Sequence, residues 1–390
     1  MIDVVGKKCC GCTACKNVCM QECIIMKENE EGFLYPSIDY DKCIGCGLCE
    51  TVCPVLNKKS DVKTGYEGLH RSFAVTALNE EYLERSSSGG VFSVLAERTL
   101  AEGGLVFGAS FSDDFMKVEH IAIDKVEDLG KLQGSKYLQS DLRDAFIQCK
   151  GFLEKGSKVL FSGVPCQIAG LKRFLGKEYE SLICVEMICH GTPSSAVWQK
   201  YLDSVGAKHE LIQNVFFRDK TMGWENFSVR IDLESGKVLK ESHRINSYMG
   251  VFLRNYALRE SCYDCSAKGD NTCADITLGD FWGVQNAYPE YYKENGVSVV
   301  ITHTGKGLAL LEECSKYLLI HETDLQKSLE ENWVIYRSVS RPEERDTFFG
   351  DLKNKTWRRV VKEYLDHRDN MERIYDYVRA LKNKVKARLG

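Results

Sequence analysis

What the chain lacks narrows its class first. No stretch approaches the roughly eighteen consecutive apolar residues that a membrane-spanning helix needs, and Met1 to Cys10 carries no apolar signal-peptide core. The expectation is a cytoplasmic protein that meets a membrane only through a partner. Charge of one sign is also missing: 52 Lys and Arg stand against 56 Asp and Glu, a net charge of −4, so nothing draws the whole chain to nucleic acid. Any anionic ligand must be met locally. With 44% hydrophobic and 28% charged residues, the composition has no signature of disorder and can bury a sizeable core. The length of 390 residues suggests about two or three domains.

Cysteine is what the chain has in quantity, with 18 residues. A chain of this length does not need the disulfide staples of small secreted domains, and in a reducing compartment cysteines serve as thiolate ligands. Their spacing agrees. Cys43-Ile-Gly-Cys46-Gly-Leu-Cys49-Glu-Thr-Val-Cys53-Pro54 is the C-x2-C-x2-C-x3-C-P run of bacterial 4Fe-4S ferredoxins, and Cys9-Cys10-Gly-Cys12-Thr-Ala-Cys15-Lys-Asn-Val-Cys19 repeats it. Three thiolates two residues apart wrap one cubane, and the fourth reaches the neighbouring cluster. The assignment is therefore Cys9, Cys12, Cys15 and Cys53 to one 4Fe-4S cluster, and Cys43, Cys46, Cys49 and Cys19 to a second. Zinc sites pair C-x2-C units across a longer loop and do not call for the C-x3-C-P ending. Met20 departs from the pattern where the second run has Pro54, which loosens a helix cap without removing a ligand.

The expected organisation is a two-cluster ferredoxin-like domain over residues 1–58, a polar linker over 59–70, an α/β domain over 71–300 and a mainly helical region over 301–390. Residues 72–77, 104–109, 158–162 and 182–188 read as strands, and 91–100 as a helix. Trp357, Val360, Val361, Tyr364 and Leu365 form an apolar stripe at helical spacing in the charge-rich stretch 355–388, a core-facing pattern without chemistry. Ser86-Ser-Ser-Gly-Gly90 precedes the helix at 91 and gathers hydroxyls and backbone N–H groups at a helix start, suited to an anion. Gly134-Ser135-Lys136-Tyr137 adds a turn, a hydroxyl, a cation and a ring. Plain alternatives are a Ser-rich cap and a solvated lysine.

Several segments in order resemble the coenzyme F-420 hydrogenase/dehydrogenase beta subunit family of iron-sulfur flavoproteins. They are the two just quoted, Phe161-Ser-Gly-Val-Pro-Cys166-Gln167, Cys189-His-Gly191, Cys262-Tyr-Asp-Cys265 and Asp275-Ile-Thr-Leu-Gly-Asp-Phe-Trp-Gly283. With the amino-terminal repeat, the resemblance spans roughly residues 1–350. It implies a mixed α/β FAD-binding domain, with Ser87, Ser88, Gly89, Gly90, Gly134, Ser135, Lys136 and Tyr137 around FAD. It also implies a third 4Fe-4S cluster on Cys166, Cys189, Cys262 and Cys265, for which a zinc site or a redox-active C-x-x-C pair is the rival reading. Cys273 lies close enough to replace one of these ligands, and Cys10 could substitute in the first cluster. Cys23, Cys149, Cys184 and Cys314 read as buried apolar filler. His190 reads as structural. Asp280 and Trp282 would line the flavin or third-cluster region, or simply pack.

The implied function is that of an oxidoreductase in which FAD exchanges a hydride with coenzyme F-420 or a similar two-electron carrier. Single electrons then pass through the clusters to ferredoxin or a partner oxidoreductase subunit. The alternative is a non-catalytic electron-transfer subunit of a larger hydrogenase, formate dehydrogenase or biosynthetic reductase. Arg218, Lys220, Arg244, Arg254 and Arg259 read as a local basic face for an anionic substrate tail or an acidic redox partner, with scattered surface salt bridges as the alternative.

Overall fold

The computed structural model describes residues 1–57, 70–207, 210–269 and 272–365. Fourteen strands are present among them: β1 (Ile24–Glu28), β2 (Leu34–Ile38), β3 (Arg71–Ala77), β4 (Leu105–Phe111), β5 (Val118–Ile123), β6 (Ser140–Asp141), β7 (Val159–Gly163), β8 (Leu182–Met187), β9 (Ile212–Asp219), β10 (Ser228–Leu233), β11 (Val238–Ser242), β12 (Ile276–Asp280), β13 (Ser298–Thr302) and β14 (Leu318–Thr323). Nine of them form one mixed sheet in the order β14-β3-β13-β12-β8-β7-β4-β5-β6. Its centre, β12-β8-β7-β4, is parallel.

A two-residue alternation explains why these central strands are apolar throughout. Val106 of β4, Leu160 of β7 and Val185 of β8 face the helix Val91–Ala101, whereas their sequence neighbours Phe107, Phe161 and Cys184 face the helices Ala145–Glu154 and Pro165–Leu175. Each fully buried ring such as Phe161 contributes about 1.5–3 kcal/mol. The helix Val91–Ala101 begins at Gly90, whose φ of 79° favours glycine. The helix Pro165–Leu175 opens on a proline, where the missing N–H costs nothing, and the Gln167 side chain accepts the Val164 N–H at 3.0 Å. A separate antiparallel sheet, β11-β10-β9, packs with Trp198, Phe217, Tyr248 and Phe252 in an aromatic core.

Residues 1–57 fold as the β1–β2 hairpin with two short helices, Ala14–Val18 and Leu48–Thr51, around Ile2, Val5, Ile24 and Val55. They are fixed to the rest. Arg345 grips Glu31 through two bonds of 2.9 and 2.8 Å, Ser195 Oγ donates to Gly32 O, and Asn17 Nδ2 donates to Arg143 O at 2.8 Å. Arg259, fully buried, donates to Cys9 O at 2.6 Å, Leu34 O at 2.9 Å and Gln139 Oε1 at 2.9 Å.

The described residues 301–365 are mainly helical but also carry strand, since β13 runs to Thr302 and β14 pairs with β3 at the sheet edge. The reason is a register that lets the short strand Leu318–Thr323 cover the far side of β3, with only Leu318 turned fully inward. The apolar stripe at 357–365 is a helix, with Trp357, Val360, Tyr364 and Leu365 buried against the aromatic core. Its proposed continuation to 388, and the linker apart from His70, lie outside the described residues.

Gly170 marks the closest approach of the amino-terminal segment to the sheet domain. A Cβ there would stand 2.9 Å from both Cβ and Sγ of Cys12. Gly170→Ala is expected to destabilise the joint by on the order of 1–3 kcal/mol through overpacking. The measurement is the thermal midpoint together with the rate of limited proteolysis at the joint. Gly151→Ala, whose Cβ would meet nothing, should change neither in that direction.

Candidate functional site

The carboxyl ends of three adjacent strands set the site. Cys166 lies just after β7, Cys189 just after β8, and Asp280 closes β12, so one edge of the parallel region carries all three. Cys262 and Cys265 come from the turn Glu260–Asp264 and its end. All four thiols line one cavity, with His190, Thr192 and Lys268. Thr192 N–H donates to Cys262 Sγ at 3.4 Å, and Lys268 Nζ donates to Cys189 O. Burial pushes the Cys189 thiol up to about 12 and that of Cys265 up to about 11.

A second cavity is lined by Cys9, Cys12, Cys15 and Cys53, among Ile2, Val5 and Val55. Gly11 N–H donates to Cys9 Sγ at 3.4 Å. Cys53 thus joins the three thiols of the other repeat. Cys19, Cys43 and Cys49 pack against the same small core, and Cys46 is exposed. The Cys23 sulfur stands 3.3 Å from that of Cys19. Cys149, Cys184 and Cys314 are buried filler, as their default reading has it.

These thiol groups fit iron-sulfur clusters in two respects. Apart from Cys10, four thiols line each of the two cavities, the ligand number a 4Fe-4S cluster takes. Arg259 also stands beside the first loop with neutral acceptors only, and a buried cation of this kind is balanced by an anionic group. Metal binding would displace the thiol protons that burial otherwise retains.

The two serine- and glycine-bearing segments come together. Ser135 N–H donates to Ser87 Oγ at 2.7 Å, joining turns distant in sequence. Ser88 Oγ donates to Val297 O, and Gly89 N–H to Ser298 Oγ, which hold the loop against β13. Gly90 caps the helix that follows. Lys136 is half-buried rather than solvated: Nζ donates to Gln133 O at 2.9 Å and Gly134 O at 3.3 Å, and desolvation pushes its pKa down to about 7. Tyr137 accepts a bond at its hydroxyl from Arg218 Nη1 at 3.4 Å.

Arg218 and Asp280 form the polar centre of this region. Two bonds of 3.0 Å join them, and Trp224 Nε1 donates to Asp280 Oδ1 at 2.7 Å. The Trp224 and Trp282 rings stack with centroids 5.1 Å apart. Lys220 donates to Ser88 O and Asn295 O, and burial pushes it down to about 8. The expected basic face is therefore corrected. Arg218 is buried and neutralised, Arg259 is buried beneath the first thiol loop, and Arg254 donates to the carbonyls of Tyr364 and Leu365. Arg244, in the turn after β11, and Arg254 remain exposed. Charge spacing in a sequence does not reveal which cations turn inward.

Two further placements bear on the thiols. His190 Nε2 bonds Asn255 Oδ1 at 2.7 Å and packs edge-on to Phe252, a structural position on the cavity wall. Cys273 packs with the helices on the far face and does not line the third cavity. Cys10 does line it, and lines the cavity of the first quartet too. Gln139, unremarked in the sequence, binds Cys10 O and Arg259 together.

Residues 156–328 match the family described as the carboxy-terminal part of the coenzyme F-420 hydrogenase/dehydrogenase beta subunit, and residues 8–57 match the 4Fe-4S dicluster domain. No curated protein matches the chain. Among solved structures, a chain of the F-420-reducing [NiFe] hydrogenase complex from Methanosarcina barkeri is similar, at 16% identity and a TM-score of 0.47, over 67% of this chain and 88% of that one. Among the described residues no helix is long and apolar enough to cross a membrane.

Asp280→Asn leaves the buried Arg218 cation without its carboxylate. The expected cost is roughly 3–5 kcal/mol, seen as a lowered thermal midpoint and altered fluorescence of the Trp224–Trp282 pair. The double substitution Arg218→Met with Asp280→Leu should recover most of that loss, because no uncompensated charge remains.

Proposed function

We propose that this chain, which carries the carboxy-terminal domain of the coenzyme F-420 hydrogenase/dehydrogenase beta subunit family after a 4Fe-4S dicluster domain, is an iron-sulfur flavoprotein oxidoreductase. In this reading the two amino-terminal quartets hold 4Fe-4S clusters, Cys166, Cys189, Cys262 and Cys265 hold a third, and FAD lies against residues 86–90 and 134–137. Bound FAD would supply the exchange between a hydride carrier, coenzyme F-420 or a similar compound, and the single-electron steps of the clusters. The observation that carries the reading is the convergence of four thiols from separate parts of the chain on one cavity, with Cys9, Cys12, Cys15 and Cys53 in a second cavity that shares Cys10 and Val55 with it. A chain that only stored iron would not need them side by side.

The protein groups in this reading bind, orient and shield. The Ser135 to Ser87 bond fixes the distance between the two segments. Arg218, locked by Asp280, holds Tyr137 and the carbonyl of Ser87 in place and is not itself an anion receptor. That leaves Lys136 and Lys220, which have only carbonyl acceptors, as the cations for a phosphate group. The stacked Trp224 and Trp282 exclude water from the side that Asp280 faces. Electrons leave through the amino-terminal thiols, where exposed Cys46 offers a ferredoxin or a partner subunit the nearest approach.

Iron, sulfide and flavin per chain after anaerobic purification test this reading. Three clusters give about twelve iron atoms with one FAD, whereas about eight would remove the third quartet. Stopped-flow mixing with reduced coenzyme F-420 should bleach the flavin band. Without bleaching, the chain is a relay whose chemistry sits on another polypeptide.

Lys136 makes the pH dependence specific. Its folded pKa of about 7 lies below the ordinary value of 10.5, so between these limits the unfolded chain holds the extra proton. Stability of the flavin-free protein from this group therefore rises with pH over that window. An anion beside Lys136 favours the charged form, so FAD binding at pH 8 should take up a proton and weaken as pH rises. Calorimetry in buffers of different ionisation enthalpy reads this uptake, and Lys136→Met should lower it.

A further inference from the structure

Five thiols, not four, border the third cavity, and the fifth is Cys10. It follows the first ligand of the amino-terminal repeat, and the regular spacing of Cys9, Cys12 and Cys15, completed by Cys53, leaves it no place in that quartet. It nevertheless lines both cavities, beside Cys12 in one and Cys166 in the other. No other cysteine lines both cavities among the described residues.

The surroundings hold Cys10 in this position. Its carbonyl accepts from Gln139 Nε2 at 3.1 Å, and Gln139 Oε1 accepts from the buried Arg259. Gly11, at φ +74°, turns the chain back immediately afterwards, and a Cβ there would meet Gln139 at 2.4 Å. Gly170 brings the helix that carries Cys166 against Cys12. Cys10 thus stands between the cavity of the first quartet and that of the third.

We infer that Cys10 is the sulfur bridge through which an electron crosses between the first cluster and the third, lying between a ligand of each and ligating neither. This rests on the reading that the third quartet holds a cluster. One cluster is oxidised by one electron as the other is reduced by one. No bond forms or breaks, no proton moves, and Cys10 remains a thiol. A polarizable sulfur between two ligand sulfurs couples them better than a methyl group across a gap.

The test compares the wild-type chain with Cys10→Ala and Cys10→Ser, each purified anaerobically. Iron content and freeze-quench EPR are read after mixing with limiting dithionite. Expected are about twelve iron atoms in all three proteins, unchanged reduction potentials, and severalfold slower electron equilibration between the first and third clusters in Cys10→Ala. Equal rates in the wild type and Cys10→Ala overturn the inference. So does a loss of one cluster's iron in Cys10→Ala, which would make Cys10 a ligand. About eight iron atoms in the wild type itself would instead bring down the third-cluster reading, and the bridge with it, before any variant is compared.

Discussion

The burial of Arg259 fixes the relation between the two parts of the chain. Its guanidinium spends its donors on the carbonyls of Cys9 and Leu34 and on the side chain of Gln139, and lies 4.1 Å over the Tyr35 ring. Every one of these acceptors is neutral. Removing a full charge from water against neutral partners is costly unless negative charge stands nearby. The thiol loop that Arg259 holds is the source of such charge once its sulfurs bind iron as thiolates. The same side chain therefore positions the amino-terminal segment and makes that position dependent on the state of the loop, a coupling of metal binding to domain docking.

The parallel centre of the sheet makes the second contribution. Strands β7, β8 and β12 run side by side in one direction, so the residues that leave their ends emerge on one edge. Cys166 and Cys189 come from two of these ends, and Asp280 from the third. Thiol cavity and polar centre are consequently neighbours by topology, without a long loop to bring either into place. The antiparallel β13 and β3 extend the sheet beyond β12 and supply Ser298 and the Val297 carbonyl that hold residues 88 and 89.

Legibility in the sequence followed the range of each interaction. The 4Fe-4S dicluster domain was legible because cysteine spacing there is local, and the strands at 72–77, 158–162 and 182–188 because a buried strand is a short apolar run. Spacing shows that Cys10 is surplus to the first quartet but not that it borders a second cavity. The arginines misled for a related reason. Arg218 lies at the end of β9, and its partner Asp280 is 62 residues away at the end of β12, a pairing that exists only once two sheets are packed. Strand β14, inside the mainly helical region after residue 300, was not legible, because its exposed face removes the apolar run that marks an interior strand.

The electrostatics of the polar centre follow from which cations are already satisfied. Arg218 has its carboxylate, so an arriving anion gains little from it and would have to displace Asp280. Lys136 and Lys220 have only carbonyl acceptors, and burial lowers both toward neutrality. A neutral lysine costs less to bury than a charged one, so they can stay buried without a counter-ion. An anion reverses that balance by stabilising the ammonium form, and the charge appears with the ligand instead of before it. In the proposed reading the site would thus discriminate by charge while carrying little charge of its own, which is compatible with a chain whose overall balance is slightly acidic.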